Sequence, residues 1–115
     1  MKNGFSIKTK VTVHRSKPFL GPGVIELLKL IDETGSVKLA CRKMDLSYTK
    51  AWTIMNRAEE ELGYELISRS QGGKAGGGAA LTPKGLKLIE KYEELARKIG
   101  AYAEETFAEI FPEGL

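Results

Sequence analysis

One short stretch concentrates the side chains able to do recognition chemistry: Ser47-Tyr48-Thr49-Lys50-Ala51-Trp52-Thr53, closed by Asn56-Arg57. If Ala51 marks the zero of an α-helix advancing about 100° per residue, Ile54, Met55, Ala58 and Leu62 fall within about 60° of it and form a buried stripe. Thr49, Thr53 and Asn56 then lie opposite, with Lys50 and Arg57 on one flank and Tyr48 and Trp52 on the other. Donors and acceptors backed by cations are what reading base edges in a major groove while holding phosphates requires. Glu59, Glu60 and Glu61 close that face, because carboxylates beside phosphates are repelled, so base reading is confined to the first two or three turns. Tyr48 and Trp52 sit at the edge of the stripe, where packing on the core is favoured over contact with a ligand.

Other chemistry finds less support. His14 has no partners at metal-ligand spacing and reads as a surface strand residue. No Cys/His, Ser/His/Asp or carboxylate pair has catalytic spacing, so an enzyme is not expected, nor is a cofactor or metal. The run Gln71-Gly72-Gly73-Lys74-Ala75-Gly76-Gly77-Gly78 invites a phosphate-loop reading, but Lys74 is followed by Ala75 where that motif needs Ser or Thr. With extended segments on both sides, it reads instead as the tip of a hairpin. There Arg69 and Lys74 supply charge, and glycines let the backbone approach a polyanion closely.

The elements that must position these residues follow from local signals. Phe5, Ile7, Thr9, Val11 and Val13 alternate with Ser6, Lys8, Lys10, Thr12 and His14, which predicts a half-buried strand with a basic polar face. Pro18 and Gly21-Pro22-Gly23 end it and open a helix carrying Ile25, Leu28 and Ile31 on one face, stopped at Gly35. Ser36 caps a short helix through Lys43, and Asp45-Leu46-Ser47 supplies a turn and the next N-cap. The recognition stretch then predicts a helix from about Tyr48 to Leu62, with Gly63 as its C-cap. Ala40 and Cys41 are small where the two helices must cross. Helix, short turn, helix is the logic of a helix-turn-helix. A solvated face on an unremarkable helix would show the same polar residues as residues 48–57; the preceding small-residue helix and the following hairpin favour DNA. Thr82-Pro83 starts a last helix reaching about Phe111, on which Leu88, Tyr92, Leu95, Ile99 and Tyr102 step by heptad spacing and predict a dimer seam.

Composition agrees. At 115 residues and 42% hydrophobic content, one domain can bury a core without staples. The single Cys41 excludes an intrachain disulfide and, with no signal peptide at the start, favours a cytoplasmic protein. No apolar run is long enough to span a bilayer, so no membrane partner is expected. Residues 1–50 hold ten Lys or Arg against four acids, net +6, whereas residues 51–115 hold eight against eleven, net −3. The footprint for a polyanion therefore lies upstream.

Several of these residues form a more specific pattern. Gly21-Pro22-Gly23 through Leu27-Leu28, Glu33-Thr34-Gly35-Ser36, Ser47-Tyr48 with Ala51-Trp52, and Gly72-Gly73-Lys74 through Ala79 with Leu81-Thr82 and Gly85 resemble the N-terminal domain of ModE-type molybdate-responsive transcriptional regulators. The likeness covers about residues 5–95 and extends, more loosely, to the helix-turn-helix of LysR-type regulators. It implies a mainly α fold with a small β-hairpin wing, in which residues 1–82 form a winged helix-turn-helix and residues 83–115 a C-terminal dimerisation helix. It further implies a homodimer on double-stranded DNA, a recognition helix starting at Ser47 and Tyr48, and a wing from Arg69 to Ala79. Family members continue into a molybdate- or tungstate-binding region, whereas this chain stops at Leu115, so no small-molecule effector is expected within it. The competing expectation is a winged helix used as a protein-interaction or assembly module.

Overall fold

The computed structural model describes residues 4–68 and 78–115. The order is β1 (Val13–His14), β2 (Pro18–Leu20), α1 (Pro22–Thr34), α2 (Val37–Met44), α3 (Tyr48–Leu62), β3 (Ile67–Ser68), β4 (Ala80–Leu81) and α4 (Pro83–Ile110). This is a mainly α winged helix-turn-helix with a small hairpin and a long C-terminal helix, as the sequence predicts.

Helix borders fall where the capping chemistry places them. The hydroxyls of Ser36, Ser47 and Thr82 accept hydrogen bonds from the backbone N–H of Leu39, Lys50 and Gly85, each satisfying a donor that the first helical turn leaves open. Asp45 ends α2 in a left-handed conformation (φ 54°, ψ 48°), an uncommon geometry that Asp tolerates better than most residues. That turn redirects the chain from α2 into α3.

The core gathers Ile25, Leu27, Leu28 and Ile31 of α1 with Ala40 and Cys41 of α2, Ala51, Met55 and Ala58 of α3, and Leu66, Ile67 and Leu81 of the hairpin. Fully burying a side chain such as Leu28 or Ile31 contributes about 1.5–3 kcal/mol, so α1 is the principal anchor. Burial also pushes the Cys41 thiol above its ordinary pKa, which disfavours the reactive thiolate.

The N-terminal strand is shorter than its alternation predicts. Only Val13–His14 pairs, antiparallel to Pro18–Leu20, with an irregularity between Val13 and His14; residues 5–12 join no strand. Alternation sets which side chains turn inward but supplies no partner for the backbone, and β2, starting at an edge proline, offers only three residues. Ile7, Val11 and Val13 are nonetheless half-buried, while Lys8, Lys10 and Thr12 are exposed.

The second hairpin pairs Ile67 with Leu81 and Ser68 with Ala80. It hands the chain to α4 through a tight crossing. Thr82 N–H donates to Leu66 O at 2.9 Å, and a Cβ added at Gly85 would stand 2.8 Å from the same carbonyl. Gly85→Ala gains about 1 kcal/mol of helix propensity but forces a backbone shift costing about 1–3 kcal/mol, so a net loss of stability is expected in urea unfolding.

Candidate nucleic-acid interface

Helix α3 presents the two faces that its sequence implies. Ala51, Met55 and Ala58 are fully buried, whereas Thr49, Lys50, Thr53 and Asn56 are exposed and Arg57 is half-buried at the flank. Ser47 stands at the helix start, where its Oγ accepts from Lys50 N–H at 3.1 Å and so fixes the first turn. Thr53 Oγ1 donates to Thr49 O at 3.0 Å, which orients the hydroxyl and leaves its lone pairs facing outward. Tyr48 and Trp52 meet edge to face with ring centroids 6.3 Å apart; Trp52 is half-buried, while Tyr48 stays about half exposed. Trp52 therefore braces the core and Tyr48 shares the outer surface.

The three glutamates differ from the sequence expectation. Glu59 turns inward, and its Oε2 accepts from Leu66 N–H at 2.7 Å and Ile67 N–H at 3.2 Å. Glu61 turns toward the first hairpin, where Arg15 Nε lies 2.9 Å from its Oε1 and Arg15 Nη2 donates to its carbonyl at 3.1 Å. Only Glu60 is exposed on the helix, so the carboxylate barrier beyond Arg57 is weaker than three adjacent acids suggest. A helical wheel gives the angle of each Cα and not where a long side chain reaches, and no sequence signal marks the acceptor that Leu66 needs.

Arg69 and Lys74, and with them the expected wing tip, lie outside the described residues. What is described is the base of the wing, held to the end of α1 by Ala79 N–H donating to Gly35 O at 2.9 Å. His14 Nε2 lies 2.8 Å from Thr12 Oγ1 on the exposed surface. Among the described residues no three His, Cys, Asp or Glu side chains gather as a metal site, and no helix is long and apolar enough to cross a membrane.

The heptad residues of α4 divide between two environments. Tyr92 is buried and its hydroxyl donates to Val11 O at 2.6 Å, and Leu88 packs partly on the core. Tyr92 is thus tied to the N-terminal segment of its own chain. Leu95, Ile99 and Tyr102 are 45%, 38% and 71% exposed and keep an apolar edge facing outward.

A helix-turn-helix whose second helix exposes a polar face flanked by Lys50 and Arg57, followed by a hairpin and a long helix, defines the winged-helix class. The comparisons are more specific: residues 24–86 match the bacterial regulatory helix-turn-helix protein model of the lysR family, and the chain belongs to that family. It is 40% identical over 82 residues to the molybdenum-pterin-binding protein MopB of Rhodobacter capsulatus, covering 71% of this chain and 30% of MopB. Against the DNA-binding transcriptional dual regulator ModE of Escherichia coli K12 the identity is 39% over 83 residues, covering 72% of this chain and 32% of ModE. The chain thus spans about a third of the length of these curated relatives. In fold it is similar to the LysR family transcriptional regulator CbnR, with a TM-score of 0.56 at 21% identity over 75% of this chain and 28% of that one.

Separating the glutamates tests the described geometry. Glu59→Ala strips two buried N–H groups of their acceptor and should cost about 1–3 kcal/mol in denaturant unfolding. The exposed Glu60→Ala should stay within about 0.5 kcal/mol of the parent.

Proposed function

We propose that this protein is a cytoplasmic, sequence-specific DNA-binding transcriptional regulator that acts as a homodimer, as a binding protein rather than an enzyme. The observation that carries the reading is α3: one side is fully buried, and the other offers Thr49, Thr53 and Asn56 with the cations Lys50 and Arg57 along one flank. Lys50 and Arg57 hold backbone phosphates, while Thr49, Thr53 and Asn56 reach base edges in the major groove. Ser47 and Tyr48 place the helix start against the DNA, and Arg69 and Lys74 of the wing bind the neighbouring backbone. Membership of a regulator family and the likeness to ModE support this reading.

The dimer reading rests on Leu95, Ile99 and Tyr102, with Leu88 at the edge where the stripe meets the core. Helix α4 has 28 residues and extends about 42 Å, more than the core can cover. Two copies joined along this edge would set their recognition helices about 34 Å apart and read an inverted repeat.

Titration across salt tests the DNA face. Lys50→Ala with Arg57→Ala should weaken binding to all duplexes alike and lower the salt slope by about one for each lost contact, whereas Asn56→Ala should cost about 1–3 kcal/mol on the cognate duplex alone. Unchanged affinity of the double variant would remove α3 from the interface and favour a protein-interaction module. Sedimentation tests the seam: Leu95→Asp with Ile99→Asp should give a folded monomer with sharply reduced affinity for the inverted repeat. A parent protein that is monomeric at micromolar concentration yet binds that repeat tightly would contradict the dimer.

A further inference from the structure

The first hairpin and the segment leading into it lie outside the family-matched residues, yet they contact α1, α3 and α4. Three contacts fix them. Arg15 grips Glu61 at the end of α3 through both a carboxylate and a carbonyl. The exposed Thr12 passes close to the start of α1, where a Cβ added at Gly21 would lie 3.2 Å from its methyl carbon. Val11 O is bound by the Tyr92 hydroxyl. With Val11 held inward and its neighbours fixed, Lys10 is turned outward and is exposed.

That orientation brings Lys10 to a groove of about 500 Å³ between the hairpin and α3. Phe19 and Ile54 form part of its apolar floor, and Lys10, Thr12, Thr53 and Arg57 contribute its polar groups. No Asp or Glu lines it among the described residues, and neither Lys10 nor Arg57 is paired with a carboxylate there. Two cations lining one groove without an anion leave it electropositive, and an anion lodged there is attracted to both. The groove is also continuous with the proposed DNA face, because Thr53 and Arg57 belong to both. An apolar floor beneath two cations suits a sugar–phosphate unit, in which deoxyribose presents C–H surface and the phosphate carries the charge.

We infer that this groove is a second DNA-backbone site, in which Lys10 of the N-terminal segment and Arg57 of α3 hold one phosphate beside the recognition helix. The segment leading into the hairpin thereby acts as a clamp beside α3. This rests on the DNA-binding reading above, and the test keeps the two separable.

The probes are a duplex selected by the unmodified protein from a random pool and a mixed-sequence duplex of equal length, titrated between about 50 and 200 mM salt. The proteins are the unmodified chain, Lys10→Ala, Lys10→Arg and Lys50→Ala, with circular dichroism confirming that each is folded. Lys10→Ala should reduce the slope of log affinity against log salt by about 0.9 per bound subunit on both duplexes, and Lys10→Arg should retain the parent slope. If Lys10→Ala keeps the parent slope while Lys50→Ala loses affinity, the groove is not a phosphate site and the DNA-binding reading stands. A loss shared by Lys10→Arg would also overturn the site, because charge would not be what the groove uses. If the unmodified protein selects no duplex from the pool and does not bind the mixed-sequence duplex, both readings fall together.

Discussion

The backbone of a single residue, Leu66, joins α3, the hairpin and the long helix. Leu66 is fully buried, and both polar groups of its backbone are satisfied from outside its own strand: Glu59 of α3 accepts its N–H, and Thr82, the cap of α4, donates to its carbonyl. Thr82 does more than one task, since its hydroxyl donates to Glu65 O at 2.7 Å while accepting from Gly85 N–H. A buried polar group left without a partner costs about 1–3 kcal/mol, so loosening any one of these contacts is felt in all three elements. The close approach of the Gly85 backbone to the Leu66 carbonyl completes the lock. The angle at which α3 faces outward is therefore set from behind, by residues that never reach the recognition surface.

Much of the helical frame was legible because its signals are local. Ser36, Ser47 and Thr82 before apolar periodic runs mark starts, and Gly35, Asp45 and Gly63 at positive φ mark stops, each for reasons contained within a few residues. The two faces of α3 were legible for the same reason, since helical geometry alone sorts Ala51, Met55 and Ala58 from Thr49, Thr53 and Asn56. The N-terminal segment was not, because a ladder needs a second strand at the right place and alternation is silent about where one is. Glu59 and Glu61 escaped for a related reason: a long, flexible side chain goes where a distant donor calls it. Heptad spacing on α4 likewise marks an apolar stripe without saying that Tyr92 within it packs on the chain's own core.

The parts of the chain beyond the family-matched segment pack on one another. The N-terminal segment runs beside α4, bonded at Val11 to Tyr92 and passing close to Gly100, where an added Cβ would lie 3.7 Å from Thr9 Oγ1. Across the other side of the same region, Lys29 of α1 holds Glu93 of α4 at 2.6 Å, and that hydrogen-bonded contact raises the Lys29 pKa. The inner half of α4 is thus fastened to the helix-turn-helix from two directions, whereas its outer half carries the exposed apolar edge. Helix α4 is joined to the rest of the fold through both α1 and the N-terminal segment.

The chain's one cysteine lies at the crossing of α2 and α3, 4% exposed, with its Sγ turned toward the Ser47 carbonyl. Packed there and disfavoured as a thiolate, Cys41 is shielded from reagents that seek out surface sulfur. A thiol introduced at an exposed position would be the sole accessible one in the molecule, so a spin label or fluorophore could be attached without first removing the native residue and disturbing the helix crossing. Distances between such probes on two copies would then report how the protein is arranged in solution and on its target.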